Sequence, residues 1–519
     1  MQHHLRLSWL RTCFHTLVFA AYPVLVVVGA NAGVVPLDGT VIARCAAIAV
    51  GAAAILLLLL RPLVRDLATR AALLSFVFIG SGVYYLVAGV SASGSLAFFY
   101  VLACVAAATL IVRPWANRPR TSRGLNVAAC AALLANLYSC APAVARDGSW
   151  RPSADALIDD VVSSPASIPE GPRPDIYHIV LDGFGRPDIL KDRFHLDLGP
   201  FVRALEARGF TVPTLGRSNY AQTYLSLGSA LNLSYLDRVT DGMADSSDRR
   251  VLDYLIQHNA VSKLARRAGY RVVAIGSDYA ATTSMAGADE CRCERYGLHE
   301  VEATAINLTP LRAVLPDRLT YGAHRRKIEA AFKHARAVAK EAGPKLVFAH
   351  VIAPHPPFVF HADGRPRDNR PRLYTMADGS QFVGSRDEYV TGYGGQARFV
   401  ASQVLALVDA ILARPGPSPV IVLHGDHGPG STKDAGYLEG DGARERMSIF
   451  SAYLLPGEER PSLAADVSPV NALRVVSNRY LGTALPPLPD LSLASSWDRP
   501  YQFVLVGGEG GGERAALAR

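Results

Sequence analysis

At 519 residues the chain is too long for one ordinary domain. Half of it is hydrophobic and its mean hydropathy is +0.17, too apolar for an average soluble protein. The net charge of +8 is carried largely by Arg clusters between apolar runs, so it is not the footprint of a nucleic-acid-binding surface.

Five apolar runs come first, at residues 14–30, 45–60, 71–90, 96–112 and 125–141. Each is close to the ~20 residues that cross a bilayer. Backbone groups in lipid must be satisfied within the segment, so five transmembrane helices are expected over 1–146. A cleavable signal peptide explains one such run, not five. Arg6 and Arg11 precede the first run, Arg61, Arg65 and Arg70 follow the second, and Arg113, Arg118, Arg120 and Arg123 follow the fourth. The loops "NAGVVPLDGT" and "SASGS" carry no Lys or Arg. The positive-inside rule then puts the amino terminus in the cytoplasm and everything after Trp150 outside. Trp9, Trp115 and Trp150 stand where interfacial anchors belong, and Arg44 is expected to snorkel at the outer end of the second span. Residues 147–172 are rich in Pro, Ser and Asp and read as a linker with one short helix.

Beyond residue 173 the pattern changes to alternating strands and amphipathic helices. Strands are expected at 176–181, 270–275, 345–351 and 419–423, and helices at 200–208, 260–268, 326–341 and 397–413. The alternation predicts an α/β outer domain over 173–500, a mainly parallel sheet with helices on both faces. The Gly-rich end, 501–519, reads as a disordered tail. Cys291 and Cys293, in "DECRCER", are the two cysteines of this domain and can pair in an oxidising compartment.

Ligands of open α/β sheets sit outside the carboxyl ends of the strands, and four clusters fall there or beside them. "DIYHIVLDGFGR" ends in Asp182, "KLVFAHVIAPHPPF" in His350 and His355, and "PVIVLHGDHG" in His424, Asp426 and His427. "SNYAQTYLSLGSALN" places Thr223 at a helix start, with Ser218 and Ser226 as rivals. Each has a plain reading: an Asp-Gly turn, a rigid Pro loop, a helix cap. Packing alone does not call for Asp-His between glycines. Two carboxylates with an imidazole suit a divalent ion. A hydroxyl at a helix start suits an attacking group beside an anion. Arg217, Tyr220 and Lys433 are further candidate phosphate contacts, and His424 and His350 read as supporting groups.

In this order the motifs resemble the sulfatase and alkaline phosphatase superfamily, over about residues 173–457. The likeness is to its membrane-bound bacterial members, the lipoteichoic acid synthases, phosphoglycerol transferases and phosphoethanolamine transferases. The resemblance implies an alkaline phosphatase-like fold. It implies Asp182, Thr223, Asp426 and His427 as metal ligands, Thr223 also as nucleophile, and His355 on the substrate phosphate or leaving group. It implies one divalent ion, manganese or zinc, with magnesium or calcium as alternatives. Asp182 stands where those synthases usually have Glu. The Cys/Ser-x-Pro-x-Arg motif of arylsulfatases is absent from the outer domain. The expected activity is transfer of a phosphoglycerol or phosphoethanolamine group from a membrane phospholipid to an envelope glycan or lipid. The alternative is an exported hydrolase of phosphate or sulfate esters using the same site. Either enzyme would be a multi-pass protein of the cell membrane, with its catalytic domain periplasmic or extracellular and no nucleic-acid partner.

Overall fold

The computed structural model describes residues 2–89, 91, 93–116, 118–145, 148–164, 170–277, 279–294, 296–369, 372–432, 440–457 and 463–507, with the backbone alone at 2–8, 111 and 142–145. They form two compact units.

In the first unit every apolar run becomes helix. Trp9–Asn31, Gly39–Leu59 and Pro119–Ala141 are each long and apolar enough to cross a membrane. The third and fourth runs are interrupted: Leu67–Gly82 gives way to Tyr84–Ala88, and Gly94–Ala107 passes through a π-turn at Ala108–Val112. Asp38 and Asp66 cap two of these helices, accepting from the N–H groups of Thr40 and Thr69. Buried polar bonds tie helix to helix. His15 Nδ1 lies 2.6 Å from Ser75 Oγ, and Thr16 donates to the Ala71 carbonyl at 2.9 Å. Gly297–Tyr321 and Asn369–Thr375, which the sequence pattern places in the outer domain, belong to this unit.

The second unit is built on a six-stranded sheet: β1 Ile176–Leu181, β2 Arg271–Ile275, β3 Glu290–Arg292, β4 Lys345–Val351, β5 Val420–His424 and β6 Ser451–Leu454. The order is β3-β2-β4-β1-β5-β6, parallel except for β6. The central strands β4, β1 and β5 are buried at every residue, which is why they read as continuous apolar runs. β3 and β6 went unpredicted. β3 is three residues at the edge, and β6 follows a helix with no break in composition. Helix Arg151–Val162 inserts Ala154, Leu157, Ile158 and Val161 into the main core, so this stretch of the expected linker is part of the fold. Part of the expected tail is also ordered: Tyr501 is buried and Val504–Leu505 pair with Leu493–Ala494. Residues 508–519 lie outside the described residues. Cys291 and Cys293 are disulfide-bonded.

The helix expected from 397 begins at Arg386 and runs to Leu412. Gly392, Gly394 and Gly395 lower its local propensity and hid its first turns. A capping box, Ser385 with Glu388, starts it. Gly392 is required by a close approach, because a Cβ there would meet Phe358 Cδ2 at 2.4 Å. Gly392→Ala is therefore expected to destabilise the outer domain by about 1–3 kcal/mol through overpacking, against a helix-propensity gain of at most ~1. Thermal unfolding of the purified protein would show a lower midpoint.

Candidate active site

Three adjacent strand ends converge. Asp182 follows β1, and Gly183 after it adopts φ +72°, a left-handed turn that favours glycine. β5 ends at His424 and leads to Asp426 and His427. β4 leads to His355, whose backbone N–H donates to the Asp182 carbonyl at 3.0 Å.

Asp182, Asp426 and His427 are buried and bring one ligand atom each within 4.8 Å of the others. Asp426 Oδ1 accepts from the Gly183 N–H at 3.0 Å, and Asp182 Oδ2 lies 3.3 Å from His350 Nε2. The second oxygens, Asp182 Oδ1 and Asp426 Oδ2, have no hydrogen-bond donor among the described residues. They stand 3.5 and 3.3 Å from His427 Nε2. His427 Nδ1–H donates to the Gly428 carbonyl at 2.9 Å, which leaves a lone pair on Nε2. Two unsatisfied buried carboxylate oxygens facing one imidazole nitrogen are costly without a cation and complementary to one. These residues fit a single divalent ion.

The electrostatics agree. Burial opposes ionisation of Asp182, but His355, His350 and His427 around it outweigh that and hold its carboxyl well below the usual range. Burial, then the Arg446 guanidinium, lowers the pKa of His427 and favours the neutral, ligating imidazole. His424 is not part of this cluster. Its Nδ1–H donates to the Gly425 carbonyl, and its Nε2 lies 2.8 Å from His178 Nε2. His350 Nδ1 lies 2.8 Å from Thr282 Oγ1.

Thr223 is the first residue of helix Thr223–Ala230, and its Oγ1 lies 3.2 Å from His427 Nε2. The rival hydroxyls of Ser218 and Ser226 both donate to the Asp426 carbonyl, so they brace the ligand loop. His355 Nδ1–H donates to the Pro356 carbonyl, leaving Nε2 3.9 Å from Asp378 Oδ2. Arg217 pairs with Asp466 at 3.5 Å, and the buried Tyr220 hydroxyl accepts the Leu236 N–H. Lys433 lies outside the described residues.

Sequence reasoning missed the groups that hold the site. One face of helix Arg386–Leu412 carries Tyr389, Tyr393 and Gln396, at helical spacing. Tyr393 donates to the Gly183 carbonyl and accepts the Gly185 N–H, fixing the Asp182 turn. Tyr389 donates to Asp378 and accepts the Gly430 N–H. Gln396 donates to the His355 carbonyl. Arg446 lies beside the ligands, with Nη1 2.5 Å from Asp378 Oδ2, Nη2 3.1 Å from His427 Nε2 and Nε donating to the Ala221 carbonyl. Burial raises the Asp378 pKa, but Arg446, followed by His355 and His427, brings it down to about 2. "ADGS" reads as a turn and "RERM" as a surface helix, so neither segment signalled these roles.

A family model described as Sulfatase matches residues 174–448, just over half of the 519. The chain belongs to the sulfatase family. Its members act on ester groups, and this chain is an enzyme of that kind. No curated protein matches the sequence. Among solved structures, the zinc-bound C-terminal periplasmic domain of EcEptC from Escherichia coli is similar at 14% identity, covering 62% of this chain and 86% of that one, with a TM-score of 0.42. BT1596, a 2-O GAG sulfatase, is similar at 12% identity, covering 60% and 72%, with a TM-score of 0.39. The integral membrane lipooligosaccharide phosphoethanolamine transferase A from Neisseria meningitidis is similar at 13%, covering 85% and 88%, with a TM-score of 0.34.

The sulfatase-family site makes two predictions. Metal analysis of the purified protein is expected to find one divalent ion per chain. Tyr393→Phe should weaken its affinity about tenfold and Asp426→Asn more than about 100-fold. Asp378→Asn should cost about 3 kcal/mol at neutral pH by removing the carboxylate that pairs with the buried Arg446 guanidinium. The depressed Asp378 pKa contributes stability that is present above the unfolded value near ~3.9 and lost as pH falls toward about 2. The variant should therefore show a shallower acid limb in that window when unfolding is followed against pH.

Proposed function

We propose that the enzyme transfers a phosphoglycerol or phosphoethanolamine group from a membrane phospholipid, through Thr223, to an envelope glycan or lipid. The observation that carries this reading is the Thr223 hydroxyl, 3.2 Å from His427 Nε2, while both neighbouring serines are committed to the Asp426 carbonyl. The apolar helices of the first unit support it, because they would keep an outward-facing site beside lipid headgroups. The proposed topology has a cytoplasmic amino terminus and the catalytic unit on the periplasmic or extracellular side.

Asp182, Asp426, His427 and Thr223 would hold the divalent ion, manganese or zinc. When bound, such an ion lowers the pKa of a hydroxyl and polarises a phosphoryl oxygen. Thr223 Oγ1 gives up its proton to water and attacks phosphorus, a new P–O bond forms, and the bond from phosphorus to the diacylglycerol oxygen breaks. His355, carrying a proton on Nε2 as well as on Nδ1, would pass the Nε2 proton to that leaving oxygen and regain one from water. The amino end of helix Thr223–Ala230 and the Arg446 guanidinium add positive potential where negative charge develops. In the second half an acceptor hydroxyl attacks the same phosphorus, and Thr223 leaves with the acceptor's proton. Water in place of the acceptor would make the enzyme a hydrolase.

Mass spectrometry of the purified enzyme incubated with mixed phospholipids and manganese or zinc tests the proposal. The expected result is a phosphoglycerol or phosphoethanolamine adduct on the Thr223 peptide. Thr223→Ala should abolish the adduct and reduce turnover by at least about 10⁴-fold. Undiminished acceptor modification by that variant would refute the nucleophile. Ester cleavage that needs no acceptor would replace the transferase with a hydrolase.

A further inference from the structure

The segment Gly297–Tyr321 leaves the α/β pattern of the chain and joins the unit formed by the membrane-type helices. It docks at two places. Helix Glu300–Asn307 places Val301 and Ala305 against Val24 and Val27 of the first helix and Val41 of the second. Glu302 receives Arg44 at 2.6 Å, giving that cation a partner where a snorkelling side chain was expected. Further along, the turn Pro310–Val314 sets Ala313 against Tyr84, Ala88 and Ala97. Arg312 is buried there. It donates to the Gly89 and Ser91 carbonyls at 2.9 and 2.6 Å, and its guanidinium lies 5.0 Å from the centre of the Tyr84 ring. These bonds satisfy the carbonyls of Gly89, which caps helix Tyr84–Ala88, and of Ser91 just beyond it.

Both contacts lie at one end of the bundle. The first is beside loop 32–38 and the second at loop 89–93, the two loops without Lys or Arg. By the positive-inside rule this is the outer end. On either side of the buried Arg312 the turn exposes Leu311 and Val314, at 60% and 71%. The helix that Arg312 caps exposes Leu86 and Val87. Helix Gly94–Ala107, whose Ala97 packs with Tyr84, Ala88 and Ala313, exposes Phe98 and Phe99 at 65% and 64%. Both helices lie in the third and fourth apolar runs, so lipid around those runs would reach the turn docked against them.

We infer that Pro310–Val314 is an interfacial membrane anchor, with Leu311 and Val314 inserted among the phospholipid chains of the outer leaflet and Arg312 holding the turn at headgroup depth. The chain that forms the catalytic unit thus returns to the membrane after leaving it. This inference rests on the membrane reading of the first unit and not on the reaction.

A photoreactive p-benzoylphenylalanine placed at Leu311 or Val314 of the full-length protein in phospholipid vesicles tests it. Phe98 serves as the lipid-facing reference and Leu215, an exposed residue of the catalytic unit, as the aqueous one. The expected result is a phospholipid adduct at 311 and 314 within about twofold of that at 98, and at least about tenfold above that at 215. Adducts at 98 but none at 311 or 314 would overturn the anchor and keep the membrane reading. Cross-links from 311 to a second copy or to the catalytic unit would overturn it as well. Absence of lipid at 98 would remove the membrane reading and the anchor with it, and leave the chemistry of Thr223 untouched.

Discussion

Two carboxylates are forced together in a dry place. Asp182 and Asp426 are almost fully buried, each with an oxygen that no described donor satisfies, and both face the same imidazole nitrogen. Two buried carboxylates this close, each with an unsatisfied oxygen, are complementary to a divalent cation. The sheet makes the juxtaposition unavoidable, because β1 lies between β4 and β5 and their carboxyl ends open into one space. Much of the surrounding structure keeps this arrangement in place. Three side chains from one helix fix the loops, two serines brace the Asp426 carbonyl, and Arg446 with Asp378 locks the far side.

What was legible in the sequence was local. Asp182, His355, Asp426 and His427 announce themselves because each follows a buried strand, and the end of a strand is where a motif can be read without knowing the fold. The parallel α/β architecture followed from the alternation of elements. The supporting groups were not legible, because their roles depend on contacts far apart in sequence. Tyr393 meets Gly183 across 210 positions, and Arg446 meets Asp378 across 68. Arg217 and Tyr220 sit near Thr223 in sequence, and their protein partners are Asp466 and Leu236. Gly-rich composition misled, since it hid the first turns of helix Arg386–Leu412, the element that aligns the loops.

The first unit illustrates the same limit. Its five apolar runs were plain, but the membership of Gly297–Tyr321 was not, because that segment is neither long nor uniformly apolar. Its docking depends on single residues such as Arg312 and Glu302.

The central claim is that Asp182, Asp426 and His427 hold one divalent ion against Thr223. Anomalous X-ray scattering from crystals of the purified protein, recorded at the manganese and zinc edges, tests it most directly. The account predicts one strong peak at about 2.0–2.2 Å from an oxygen of Asp182, an oxygen of Asp426, His427 Nε2 and Thr223 Oγ1. A peak held elsewhere, or none in a protein saturated with metal, would contradict it.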